Sequence, residues 1–262
     1  ELCKGSDIQA VEIGSNHCYE EDYGYLNNYD FQYLVHNYFP IPKDSFVLNI
    51  ASFNPEIRLR SIKHIKKAID FCSEVGANLY TFHPGFLTDP NGANKSNNNY
   101  DFQWEEKQLQ NRNYEMAKKY MYNTLDEAAK YAQSKKINIA IETEGSLNKK
   151  DHLLMQQPFE YEEFMGKYHA SDIGINLNIG HLNLAANAFN FNRFEFVDLI
   201  QNYIVAMELS HNDGFEDQHL PLQANAWYWD LINDSRFRSI YKILEFRNTT
   251  ISNIKNNIEL IQ

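Results

Sequence analysis

Apolar residues gather along this chain in short runs separated by polar stretches. Ala10-Val11-Glu12-Ile13-Gly14, Tyr33-Leu34-Val35-His36 and Leu79-Tyr80-Thr81-Phe82-His83 read as strands. So do Ile137-Asn138-Ile139-Ala140-Ile141-Glu142, Ile173-Gly174-Ile175-Asn176-Leu177-Asn178, Tyr203-Ile204-Val205-Ala206-Met207-Glu208 and Tyr241-Lys242-Ile243-Leu244-Glu245. Phe46-Val47-Leu48-Asn49-Ile50 is apolar too. The region from His36 to Ile50 reads as one strand, interrupted by an outward bulge between Asn37 and Asp44 that holds Pro40 and Pro42. Between the runs the spacing becomes helical. Ile57, Ile62, Ile65, Ile69 and Cys72 recur at intervals of three to five behind Pro55, which suits a first turn, and Gly76 ends the pattern. Ala117, Met121, Leu125, Ala128 and Ala132 mark a second, long helix. Further helices are expected over Phe159 to Tyr168, Phe194 to Gln201, Trp227 to Asn233, and from about Ile251. Ser15 to Tyr29 reads as loop and irregular helix, and the Asn-rich stretch from Thr88 to Tyr100 as a loop overhanging the strand tips.

Alternation of strand and helix implies parallel pairing with right-handed crossovers. Seven strand positions are visible, and a closed eight-stranded barrel needs one more. The abrupt start at Glu1-Leu2-Cys3-Lys4-Gly5 reads as the end of a helix, which places the missing strand first. The expected fold is therefore α/β, a (β/α)8 TIM barrel lacking its first strand. No linker or composition break divides residues 1–262, so one domain is expected. The length of 262 residues suits such a barrel, typically about 250, and 43% hydrophobic residues support a sizeable core. No run of about 18 apolar residues offers a membrane span, and no secretory signal is visible. Cys3, Cys18 and Cys72 are scattered without CxxC spacing, which points to buried thiols in a reducing, cytoplasmic setting. The 24 basic and 35 acidic residues leave a net charge of -11, which argues against a long nucleic-acid footprint.

The chemistry lies at the strand tips. His36, His83, Glu142, Asn178 with His181, Glu208 and Glu245 all fall at or just past the end of an apolar run, and the loop after Glu208 adds Asp217 and His219. In a barrel these tips share one rim. Imidazoles and carboxylates converging there form a ligand set for a divalent ion. Each residue taken alone has a plainer reading. A lone His at a strand end is commonly a hydrogen-bonded rim residue, a lone Glu caps the next helix, and Asp217-x-His219 is a common loop string. Repetition at equivalent positions favours the metal site for the set. Trp227 and Trp229 read either as packing or as a sugar platform, and His211 with Asp213 either as turn-formers or as substrate contacts. His211 and Trp227 are accordingly the candidate substrate-binding residues. His17, His64, His152 and His169 fit no strand tip and read as surface.

Taken together, several segments resemble the xylose-isomerase-like TIM barrels, a superfamily of sugar isomerases, sugar epimerases and endonuclease IV. They are His36 with Asn49-Ile50 downstream, His83-Pro84-Gly85, Glu142, Asn178-Ile179-Gly180-His181, Glu208-Leu209-Ser210, Asp217-Gln218-His219 and Leu244-Glu245. The resemblance runs from Ala10 to Glu245, and its pattern is nearest to the endonuclease IV-like branch, which binds zinc. It implies one ligand set of His36, His83 and Glu142, and another of His181, Asp217 and His219. A central set would be Glu142, Asn178, Glu208 and Glu245. This chain departs from the pattern in that central set, with Asn178 in place of Asp and Glu208 in place of His. His211 also replaces an Asp, and Gln223-Ala224-Asn225 stands where Gly-Glu-Gly is usual. Oxygen donors suit Mn²⁺ or Mg²⁺ better than a nitrogen-rich set does.

What the resemblance implies is a divalent-metal-dependent sugar or sugar-phosphate isomerase or epimerase, using Mn²⁺, Mg²⁺ or Zn²⁺. Proton abstraction beside a carbonyl would pass through a metal-stabilised enediolate. Glu142 and Glu245 would be the proton-transfer pair, each also touching metal, and His181 would bind or protonate a substrate oxygen. The expected partner is a small sugar or sugar phosphate, not nucleic acid or membrane, with homo-oligomerisation left open. Two alternatives stand beside it: an endonuclease IV-like zinc phosphodiesterase acting on abasic DNA, and a non-catalytic sugar-binding barrel whose metal site has degraded at Asn178 and Glu208.

Overall fold

The computed structural model describes residues 8–15, 17–90, 113–147, 149 and 152–261. Seven strands form its sheet: β1 (Ala10–Ile13), β2 (Gln32–His36), β3 (Leu79–Phe82), β4 (Asn138–Glu142), β5 (Gly174–Asn178), β6 (Ile204–Leu209) and β7 (Tyr241–Leu244). They are hydrogen-bonded in chain order, and every pairing is parallel. Helices α1 (Pro55–Val75), α2 (Tyr114–Lys135), α3 (Pro158–Lys167), α4 (Ile179–Phe189), α5 (Arg193–Ile200), α6 (Trp229–Ile232) and α7 (Ile251–Ile261) lie between or after the strands. The sheet curls into a nearly closed TIM barrel, as the alternating pattern predicts. Glu12 on β1 and Glu245 just past β7 lie close enough for their carboxylates to repel one another, so the first and last strands approach at the mouth.

The periodic segments fold as read. Pro55 starts α1 behind the Asn54 cap, and Gly76 stops it at φ 70°, a left-handed conformation that favours glycine. Ala117, Met121, Leu125, Ala128 and Ala132 are all buried on one face of α2. Three expectations change. Phe46–Ile50 is not strand: β2 pairs directly with β3, so no place remains in the sheet, and the Asn49 amide is taken by Ser61 Oγ at 3.0 Å. The helix expected over Trp227–Asn233 shrinks to Trp229–Ile232. The eleven residues of α4 form a helix where the spacing predicts none. Residues 91–100 of the Asn-rich insertion, and the chain start with Cys3, lie outside the described residues.

Two apolar layers flank the sheet. Outside, the large core joins strand residues such as Val35, Tyr80, Ile141 and Leu177 to the inner faces of the helices. Inside the barrel, a separate small cluster of Leu34, Leu79, Ala140 and Ala206, with Tyr241 and Ile243 against it, makes an apolar floor. Side chains alternate between faces along a strand. The positions two residues beyond Leu34, Ala140, Ala206 and Ile243 therefore also point inward, at the mouth. They are His36, Glu142, Glu208 and Glu245.

Candidate metal centre at the strand tips

Local sequence sets each tip. His83 follows Phe82 of β3, and Pro84 and Gly85 turn the chain aside at once. Gly85 has φ 103°, and a Cβ there would lie 2.8 Å from Asn49 Oδ1. That amide clamps the turn: Asn49 Oδ1 accepts from Phe86 N and Ala51 N, while Nδ2 donates to Phe86 O and Asp89 Oδ1. On β5, the register against β6 shifts between Ile175 and Asn176. Gly174 permits the close approach, since a Cβ there would come within 2.7 Å of Val205. The shift places Asn178 opposite Glu208 rather than Met207. Past β6, His211 and Leu220 exchange backbone hydrogen bonds of 2.8 and 2.9 Å. This antiparallel bridge folds the intervening loop back and buries Asp217 and His219.

The tips converge into three overlapping clusters, in each of which one ligand atom per residue lies within 4.8 Å of the others: His36, His83 and Glu142; His181, Asp217 and His219; and Glu12, His36 and Glu208. In the first, Glu142 Oε2 stands 3.6 Å from His36 Nε2 and 3.5 Å from His83 Nδ1. His83 Nδ1 also meets Glu144 Oε1 at 2.8 Å. In the second, His181 Nε2 is 3.9 Å from Asp217 Oδ1, and His219 Nε2 abuts Asp217 Oδ2. His181 Nδ1 lies 3.1 Å from Glu142 Oε1, so Glu142 joins the two. In the third, His36 Nδ1 is 3.6 Å from Glu208 Oε1.

Between them sits Asn178. Its side-chain NH₂ donates to Glu142 Oε1 at 2.9 Å, Glu208 Oε2 at 2.8 Å and Glu245 Oε2 at 3.2 Å. Its Oδ1 caps α4 by accepting from His181 N at 3.1 Å. The central set thus meets around an amide nitrogen, and the amide oxygen is turned to the helix.

Electrostatics follow from burial and neighbours. Burial would raise the Glu142 carboxyl, but His83, His181 and His36 outweigh it and hold it well below its ordinary value. Burial pulls His83 down, yet Glu142 and Glu144 push it up to about 10. His181 rises against burial to about 9 through Glu142, and His219 to about 10 through Asp217 and Glu245. Burial would lift Glu245, and His219 brings it below the usual range. Glu208 and Glu12 go well above it, first by burial and then by surrounding carboxylates.

Donor chemistry fits a metal at the first two clusters. Glu142 Oε2 and Asp217 Oδ1 are buried with no hydrogen-bond partner among the described residues, and Asp217 Oδ2 and His219 Nε2 crowd against one another. Such atoms call for an explanation, and a cation supplies one. Two histidines and a carboxylate in each cluster are ordinary ligands of Zn²⁺ and related ions.

Other expectations resolve individually. Trp227 is half-buried in packing, with Arg193 Cζ 4.6 Å from its ring centre and Phe194 edge-on. His211 Nδ1 reaches Tyr228 Oη at 3.3 Å, and Asp213 accepts from the backbone of Phe215 and Glu216, as a turn-former does. His17 and His169 are exposed, as read, but His64 and His152 are buried. Glu12 and Glu144 join the centre unannounced. Their signal was a carboxylate inside the apolar run Ala10–Ile13, and a second acid two positions after Glu142.

Parallel strands in a curled sheet, with imidazoles and carboxylates at one mouth, define a TIM barrel with a metal-capable rim. The chain belongs to the xylose isomerase-like TIM barrel family, which matches residues 16–262. Among curated proteins it is 22% identical over 221 residues to the uncharacterized protein MJ1311 of Methanocaldococcus jannaschii, covering 82% of this chain and 66% of that protein. It is 48% identical over 40 residues to the probable endonuclease 4 of Aquifex aeolicus, 15% of this chain and 14% of the relative. The chain therefore spans just under two thirds of the first of these relatives and a small part of the second. Among solved structures, a D-tagatose 3-epimerase-like protein superposes with a TM-score of 0.69 at 21% identity, over 97% of this chain and 89% of that one. That likeness is one of fold.

Proposed function

We propose that the chain is a single-domain, divalent-metal-dependent isomerase or epimerase of a sugar or sugar phosphate. The observation that carries it is the convergence at one mouth of Glu142, Glu245 and His181 with two clusters of metal-capable side chains, in which Glu142 Oε2 and Asp217 Oδ1 are buried without a hydrogen-bond partner among the described residues. The similarity to a D-tagatose 3-epimerase-like fold supports the same class.

Residues His36, His83 and Glu142, and His181, Asp217 and His219, would hold the metal. A bound Mn²⁺, Mg²⁺ or Zn²⁺ supplies Lewis-acid polarisation to a neighbouring carbonyl. The proton movements belong to the protein. Glu245 is the accessible carboxylate, 38% exposed against 2% for Glu142. Both of its described side-chain contacts are to Oε2, held by His219 and Asn178. That fixes the group and presents Oε1 to the mouth, where it takes the proton beside the substrate carbonyl. Glu142 returns a proton to carbon. His181 Nδ1, 3.1 Å from Glu142 Oε1, can supply the proton that Glu142 passes on.

The test is solvent deuterium uptake at carbon over a panel of ketoses, aldoses and their phosphates. The wild-type protein exchanges label with one of them, while Glu142→Gln and Glu245→Gln each lose turnover with the fold intact. Turnover retained in either variant rejects the assignment. A second reading, a zinc phosphodiesterase, is favoured by one observation: both histidine-rich clusters of the endonuclease IV-like pattern are assembled, and a short segment matches an endonuclease 4. It predicts cleavage of duplex DNA at an abasic site and no carbon exchange.

A further inference from the structure

Glu142, Glu208 and Glu245 meet at the barrel mouth from three separate strands. Carboxylates so placed, two of them buried, demand a cation or several donors. Among the described residues, what stands at their meeting point is neither a lysine nor an arginine but the NH₂ of Asn178, within 3.2 Å of an oxygen from each. The orientation of this amide is fixed from both sides. His181 N–H requires an acceptor, which is Oδ1, and the carboxylates require a donor, which is Nδ2. Turning the amide over would set donor against donor at the helix and oxygen against three oxygens at the centre. Asn176 Nδ2 supports the arrangement from below by donating to Glu208 Oε1 at 2.7 Å.

We infer that Asn178 is a built-in substitute for a cation: it fills the central position with a protein donor, and confines ions to the flanking clusters. His36 is common to two of the three clusters, and its Nδ1 meets Thr81 Oγ1 at 2.8 Å, which leaves Nε2, on the Glu142 side, for one ion; His181, Asp217 and His219 hold the other. Wild-type chain then takes up no more than two ions. The central set, which the resemblance implies as four ligands, does not fit an ion while its amide oxygen caps α4. This rests on the metal reading above.

The substitution that tests it is Asn178→Asp. Aspartate caps a helix as well as asparagine does, so His181 N keeps its acceptor. It replaces the donor at the centre with a fourth carboxylate, which must be neutralised by a proton or an added cation, and excess metal favours the cation. Full-length wild type and N178D are stripped with chelator, equilibrated with excess Mn²⁺ or Zn²⁺, desalted, and assayed for metal per chain. Folding is followed by circular dichroism. Two ions or fewer in the wild type, and one more in N178D, is the expected result. Three ions in the wild type, or equal counts in a metal-binding wild type and N178D, overturns the inference and leaves the metal reading standing. No ion in either protein overturns both. No ion in the wild type but one in N178D supports the role of the amide and overturns the metal reading. N178D that folds only when metal is supplied counts as the expected result. If it fails to fold even then, N178D/E208Q, with the wild-type number of central carboxylates, is measured instead. An extra ion there supports the inference and an unchanged count overturns it.

Discussion

Glu142 shows how much one side chain carries. It contacts His36, His83, His181 and Asn178 at once, and keeps a buried oxygen with no hydrogen-bond partner among the described residues. Residues of this kind were legible because they fall at or just past the end of an apolar run, where barrel strands meet the rim. Glu12 and Glu144 were not, since one lies within its run and the other two positions beyond a strand tip. His64 was misread for a related reason: it sits between two lysine-bearing turns of α1, yet packs under Tyr38 at 5.1 Å and is 5% exposed. Burial, with Lys67 nearby, lowers its pKa to about 4. The unfolded chain therefore takes a proton near pH 6.5 that the folded chain refuses until about pH 4. Stability falls as pH drops through that window, by about 1.4 kcal/mol per pH unit from this group. Urea unfolding of His64→Leu at several pH values is expected to show a shallower acid limb than wild type. Parallel limbs would show that His64 is protonated in the fold.

Among elements, strands and amphipathic helices were readable, and elements without a polar face were not. Helix α4 is buried from Ile179 to Ala186, so it has no apolar stripe to recognise, and it begins at Asn178 with no loop after β5. Phe46–Ile50 has strand composition but serves as a strap, and its Asn49 ties the turn after His83. That strap positions His83. Asn49→Ala strands the Phe86 and Ala51 amides in a buried place, at a cost of roughly 2 kcal/mol or more. A fall in the urea midpoint together with weakened metal retention is expected. A drop in stability with metal retention unchanged would separate the strap from the site.

At the scale of the whole molecule, the mouth concentrates carboxylates and imidazoles in a chain already at -11, so ion binding and folding should be linked. Among the described residues no helix is long and apolar enough to cross a membrane. At an ion concentration a hundredfold above Kd, linkage amounts to about 2.7 kcal/mol. For a chain of this size that is a Tm shift of roughly 5–10 °C. Chelation is expected to lower Tm by about that much and metal to restore it, as scanning calorimetry would read. An unmoved Tm would mean that no ion binds the folded state preferentially. The most direct measurement of all is anomalous diffraction from crystals grown with Mn²⁺ or Zn²⁺. The account predicts peaks at about 2.0–2.3 Å from ligand atoms of His36, His83 and Glu142 or of His181, Asp217 and His219. Density for the metal found solely outside the barrel mouth would contradict it.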